Sequence, residues 1–296
     1  MKHYIYAVFL LCCSIANATA FDPTSKPITV VIPFAPGGGV DQTFRHFEKY
    51  ANKKGINFVA VYRPGAEGLI GMNEIASMPK DGYHIAFGTV GTIAVQRLRN
   101  PLAEVEPVTA IRNSVSAYVA HKNSGIGSIQ DLYNRQTTAG YGAPGQKMLL
   151  ENLIAESKNK IDFLLIPYKG GAMVVNDISG GHIQFAAVPL SIAKGQIDNG
   201  AIRLLAVGSA QRLKEYPHVP TIFSVFPRWQ DVDAFAFVLP KDTTSSAEQF
   251  WSLLLKEYMA DKSVQADFVN EFNELNEFGK QPLSKLIANA MKSMSK

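Results

Sequence analysis

Residues 27–34 form an apolar, β-branched run, Ile28-Thr29-Val30-Val31-Ile32, bounded by Pro27 and Pro33. A continuous run of this kind predicts a strand covered on both faces. The Gly-rich turn Ala35 to Gly39 follows. After it, Phe44, Phe47, Tyr50 and Ala51 fall three and four residues apart, the spacing of one helix face, and Lys53-Lys54-Gly55 supplies a helix stop. Residues 57–62 return to strand pattern. Strand, Gly turn, helix, strand is a βαβ unit.

The rhythm repeats along the body. Helices are predicted over 68–78, 90–98, 146–157, 172–179 and 192–198, with one beginning at Ser128. Strands are predicted over 83–88, 116–121, 137–141, 162–167, 183–188 and 202–208. Alternation at this scale predicts an α/β fold with mostly parallel sheets flanked by helices. From Ser245 onward no strand pattern is evident, and helices are expected over 246–260 and 264–278, with a last one opening at Pro282-Leu283. These final helices are expected to pack back on a first lobe. Segments 116–121 and 234–239 are candidates for crossing between two lobes.

Length bears on the lobe count. At 296 residues the chain reaches the size at which single cores divide, so two lobes are expected. With 47% hydrophobic and 18% charged residues it is too apolar for a disordered chain. A formal charge of +4 with no basic run argues against nucleic-acid binding.

The first 20 residues are an address. Lys2 precedes an apolar run from Ile5 to Ile15, and Ala18-Thr19-Ala20 offers the small residues of a cleavage site, making Phe21 the expected mature start. The run is too short to span a bilayer. Leu10-Leu11 before Cys12 lacks the small residues of a lipidation site. Cleavage removes Lys2, taking the charge to +3, together with Cys12 and Cys13, the only cysteines. The exported chain then has no thiol for disulfide, metal or nucleophile chemistry.

Candidate chemistry concentrates at strand-to-helix turns. Gly37-Gly38-Gly39 stands before a helix, where free N–H groups and the positive end of the helix dipole suit an anion. The spacing fits no nucleotide motif, since no Lys-Ser/Thr follows and Gln42 stands where a third Gly belongs. Asp41 reads as a cap or charge at the helix start. The turn 141–147 (Tyr-Gly-Ala-Pro-Gly-Gln-Lys) repeats the design, with Lys147 either facing an anion or solvated. Further Gly turns occur at 88–92 and 167–171.

Catalytic motifs are poor. The histidines show no metal-ligand spacing, Ser191-Ile192-Ala193-Lys194 matches SxxK without its companion motifs, and no GxSxG occurs. Glu104 and Glu106 read as solvated charge in a polar loop. No cofactor or metal is expected.

Four segments in order resemble one family. They are Pro27 to Asp41; Arg63-Pro64-Gly65-Ala66-Glu67-Gly68-Leu69-Ile70-Gly71 with Pro79 to Tyr83 and Gly88-Thr89; Pro167 to Gly171 with Gly180-Gly181; and Arg203 to Val207 leading to Val219-Pro220-Thr221. Together they resemble the Bug-type solute-binding receptors of tripartite tricarboxylate transporters. The turn 142–148 departs from that family, in which a longer Ser/Thr/Gly-rich loop is usual. The resemblance implies a two-lobe, type II-like periplasmic-binding-protein fold, with lobe one at 21–118 plus 235–296 and lobe two at 119–234. It implies a monomeric, non-enzymatic periplasmic receptor that captures a small carboxylate and delivers it to membrane carrier subunits. The implied ligand contacts are Gly37, Gly38, Gly39, Asp41, Gly65, Ala66, Thr89 and Gly91 in lobe one. In lobe two they are Tyr141, Gly142, Ala143, Gly145, Tyr168 and Lys169. An enzyme on a similar fold and a ligand-sensing input for a histidine kinase are the alternatives.

Overall fold

The computed structural model describes residues 21–102, 104–227, 234–270, 273–275 and 278–294. The expected leader and its cysteines lie outside them. In chain order the strands are β1 (Ile28–Ile32), β2 (Phe58–Tyr62), β3 (His84–Thr89), β4 (Val105–Ser114), β5 (Ser116–His121), β6 (Gln136–Tyr141), β7 (Asp162–Pro167), β8 (Phe185–Pro189), β9 (Ile202–Val207), β10 (Ala234–Pro240) and β11 (Asn273–Leu275). The helices are α1 (Gly39–Asn52), α2 (Leu69–Ala76), α3 (Val90–Arg99), α4 (Pro144–Glu156), α5 (Gly171–Ser179), α6 (Leu190–Asp198), α7 (Ile222–Val225), α8 (Ser245–Ala260), α9 (Lys262–Asn270) and α10 (Lys280–Met294).

Two sheets result. One has the order β11-β4-β10-β3-β1-β2, the other β7-β6-β8-β5-β9. Apart from the part-buried Thr29 the β1 run is apolar because its two faces feed two cores. Ile28, Val30 and Ile32 pack with Phe44, Phe47, Phe237 and Trp251, whereas Val31 packs with Met72, Ile93, Leu283 and Ile287. β5 behaves alike, sending Tyr118 and Ala120 to one face and Ala117 and Val119 to the other. The last helices do pack back on the first sheet. The Trp251 indole N–H donates to the Gly82 carbonyl at 2.9 Å, fixing α8 there, while Leu283 and Ile287 of α10 are fully buried.

Several expectations need correction. The sheets are mixed: parallel pairing is confined to β2-β1-β3 and β7-β6-β8, and the remaining strands pair antiparallel. The antiparallel strands flank the passages between sheets. β4 ends the first sheet at Ser114 and β5 opens the second at Ser116, so sheet membership changes at Val115, while β10 returns to the first sheet. Glu104 precedes β4 and is an exposed loop charge, as expected, whereas Glu106 does not sit in a solvated loop. Glu106 is on β4 and pairs with Lys280 of α10, and Glu104 pairs with Lys241. The helix expected over 264–278 stops at Asn270, and β11 adds to β4 as a sheet edge. The helix expected from Ser128 is a single 3₁₀ turn, Ile129–Leu132, closed by a reciprocal Ser128–Asp131 capping box.

Candidate functional site

The site is built from turns that leave the C-terminal ends of strands. After β1, the chain turns through Gly37 at φ +81° into α1. The Asp41 carboxylate reaches back one turn. Its Oδ2 accepts the Gly37 N–H at 2.8 Å, its Oδ1 accepts the Tyr62 hydroxyl at 2.8 Å, and Arg45 Nε lies 3.4 Å away. Burial and then the hydrogen bond to Asp41 push the Tyr62 phenol above its ordinary pKa. Asp41 therefore shapes the turn, as a first-turn carboxylate does. Its described partners all lie within lobe one.

The second turn copies the first. Gln146 stands at the same helical position in α4 as Asp41 does in α1, and its Oε1 accepts the Gly142 N–H at 2.7 Å. A neutral amide replaces the carboxylate, so this turn brings no negative charge of its own.

The turns meet across the lobe boundary. The Ala35 N–H donates to the Lys169 carbonyl at 2.9 Å. A Cβ placed on Gly91 of α3 would lie 2.8 Å from the Gly145 amide nitrogen of α4. Gly91 and Gly145 thus provide close approach of the two helix starts, and neither lines the cavity between the lobes or the hollow beside it.

A cavity of about 340 Å³ lies between the lobes. Gly65, Ala66, Tyr141, Gly142, Ala143, Tyr168 and Lys169 line it, all expected from sequence, together with Phe34, Glu67 and Pro167. A hollow of about 20 Å³ adjoins it, where Gly38, Gly39 and Thr89 meet Gly142 and Ala143 beside Pro189 and Phe235. Gly37 lines neither and is exposed. The Thr89 hydroxyl accepts the Thr92 N–H at 3.1 Å and caps α3. Tyr168 donates to Asp177 Oδ2 at 2.7 Å, and burial followed by that bond pushes its phenol up to about 12. Tyr141 is also raised, by burial and then by the field of Glu67. Lys147 is not solvated alone: it lies 3.7 Å from Glu67 across the lobes and 3.6 Å from Glu151.

Sequence reasoning missed the apolar wall. Phe34, Pro189 and Phe235 carry no chemical motif, and only the topology brings them beside the turns. It also missed Arg112, fully buried on β4 with its guanidinium 5.4 Å from the Phe235 ring and 5.3 Å from the Phe268 ring, donating to the Thr43 hydroxyl of α1. The one nucleophile candidate is poorly equipped. Lys194 is bonded to Asp198, which raises its pKa, the wrong direction for a base beside Ser191.

The arrangement offers a half-open, largely apolar cleft with glycine turns around it. The family model described as the tripartite tricarboxylate transporter family receptor, TctC, matches residues 44–295. The chain belongs to that family.

Relatives of this receptor agree over most of its length. It is 24% identical over 280 residues to protein BugT of Bordetella pertussis, covering 89% of this chain and 86% of that one. It is 28% identical over 212 residues to a UPF0065 protein in the tcbD–tcbE intergenic region of Pseudomonas sp. strain P51, covering 67% of this chain and 62% of that protein's length. Among solved structures, an R. palustris protein with adipate superposes with a TM-score of 0.83 at 22% identity, covering 93% of this chain and 96% of that one. MatC from Rhodopseudomonas palustris with bound malate gives 0.79 at 18% identity, covering 90% and 96%. These likenesses establish the two-lobe binding-protein fold expected from the sequence.

Proposed function

We propose that this receptor holds a small carboxylate in the cavity between its lobes, outside the cytoplasm, and passes it unchanged to a membrane carrier. The cavity lined by turns from both lobes is the observation that carries this reading. Its volume suits a small metabolite. The backbone of Gly142 and Ala143 borders both cavity and hollow, in keeping with an anion held by amides rather than by a charged pair. The adipate and malate of the two solved relatives are both carboxylates, which supports the ligand class. Lys2, the apolar run from Ile5 to Ile15 and the small residues Ala18-Thr19-Ala20 support export, with Phe21 as the first mature residue. Asp198 raises the Lys194 pKa and so disfavours that side chain as a base beside Ser191, in keeping with binding without turnover.

A thermal-shift panel of mono-, di- and tricarboxylates, with sugars and amines as controls, tests the reading. A ligand at a hundred times its dissociation constant adds about 2.7 kcal/mol, or roughly 5 °C in a chain of this size. A rise confined to carboxylates is the expected result. A response to sugars or amines alone, or chemical conversion of a bound carboxylate, would overturn it. N-terminal sequencing of the exported protein should begin at Phe21.

A further inference from the structure

Glu67 occupies an unusual place on the cavity wall. Four consecutive residues, Gly65 (φ +130°), Ala66 (+47°), Glu67 (+58°) and Gly68 (+89°), wind in the left-handed sense. Glycines accept this freely, but a residue with a Cβ does not. A glutamate held there against its backbone preference points to a task for the side chain.

The side chain is engaged on two sides. Glu67 Oε2 accepts from Arg99 Nη2 at 3.1 Å within lobe one. Its Oε1 lies 3.7 Å from the Lys147 ammonium of lobe two. The carboxylate is only 17% exposed. It borders the ligand cavity on one side and, on the other, a separate hollow that Arg99, Lys147 and Glu151 line. Tyr141, on the same cavity wall, feels the field of Glu67. Lys169, a cation that does line the cavity wall, is exposed and has no ion-pair partner among the described residues.

The charges around the cavity therefore divide unequally. Arg99 and Lys147 line the neighbouring hollow rather than the ligand cavity, and both already hold carboxylates that belong to the protein. Lys169 and the glycine turns remain for one anionic group. We infer that Glu67 takes the place of a second ligand carboxylate, so that the cavity selects singly charged carboxylates, with an apolar or hydrogen-bond-donating far end, over dicarboxylates. A diacid would set its far carboxylate against Glu67, at the end of the cavity where no further cation lines the wall among the described residues. Such rejection by a like charge is a general route to specificity. This inference rests on the carboxylate-receptor reading and narrows it.

The test is calorimetric affinity for matched pairs: butyrate and succinate, hexanoate and adipate, benzoate and terephthalate. It uses the wild-type protein, Glu67→Gly, Glu67→Gln and Glu151→Gln. Glycine suits the left-handed turn, and glutamine keeps the size without the charge, so a folding failure in one variant leaves the other. Wild type should prefer the monoacid of a pair by about tenfold or more, and both Glu67 variants should move the ratio about tenfold toward the diacid. Glu151→Gln makes the same change of charge beside Lys147 away from the ligand cavity and should leave the ratio in place. Diacids bound as tightly as monoacids by wild type would overturn the inference. So would a ratio unmoved in the Glu67 variants, or moved equally by Glu151→Gln. In those cases carboxylates still bind and the receptor reading stands. Binding of neither class, by wild type or variants, would instead remove the receptor reading and the inference with it.

Discussion

Asp41 shows how a residue can sit beside a ligand cavity and yet serve the backbone. Its two oxygens take the Gly37 N–H and the Tyr62 hydroxyl, and it is 8% exposed. Replacement by alanine removes the acceptor of the part-buried Gly37 N–H and of the Tyr62 hydroxyl, leaving Tyr62 only its bond from Arg45, which costs about 1–2 kcal/mol. Asp41→Ala should therefore lower the melting temperature by several degrees in the absence of any ligand, measured by calorimetry, while Asp41→Asn should retain part of it. Tyr168 gives a pH signal. Its folded pKa of about 12 lies above the ordinary 10 because burial and the Asp177 carboxylate favour the neutral phenol. The stability it contributes is complete below pH 10 and is lost as pH rises from 10 to about 12. Wild-type melting temperature should fall across that window, and Tyr168→Phe should fall less steeply. The role of Asp41 at the helix start was readable from its place after a Gly turn. The left-handed Ala66 and Glu67 were not, because neither residue type signals positive φ.

At the scale of elements, the βαβ opening and the strands β5 and β7 were legible, because period and boundary residues agree there. β4 was not. Pro107 and the acids Glu104 and Glu106 mark a loop by local rules, yet β4 pairs with β10 through two register irregularities, and tertiary pairing overrides the local signal. β11 has three residues and exists only as a partner for β4. The helix starts of α3 and α4 make a testable contact. A Cβ on Gly91 meets the Gly145 nitrogen at 2.8 Å and its Cα at 3.3 Å, and backbone cannot yield as a flexible side chain would. Gly91→Ala should spare each lobe, since the clash lies between lobes, and leave the ligand-free melting temperature near wild type. It should weaken carboxylate binding by about tenfold or more, because the arrangement of lobes around the cavity is then disfavoured. Unchanged affinity would show that the two helix starts need not meet for binding.

At the scale of the whole molecule, two sheets share one chain, exchange it at Val115 and at β10, and enclose between them a space of about 340 Å³. Family membership and the cavity agree on a receptor, and Glu67 narrows what it receives. The most direct measurement is calorimetric titration of a small carboxylate into the wild-type protein and into Ala66→Trp, with chemical analysis of the carboxylate afterwards. Ala66 is exposed on the cavity wall, so the indole should fill the space while sparing the buried core. The account predicts one carboxylate bound per wild-type chain, recovered unchanged, and binding abolished in Ala66→Trp. Absence of binding by every carboxylate, binding undiminished in Ala66→Trp, or conversion of the carboxylate to a product would contradict it.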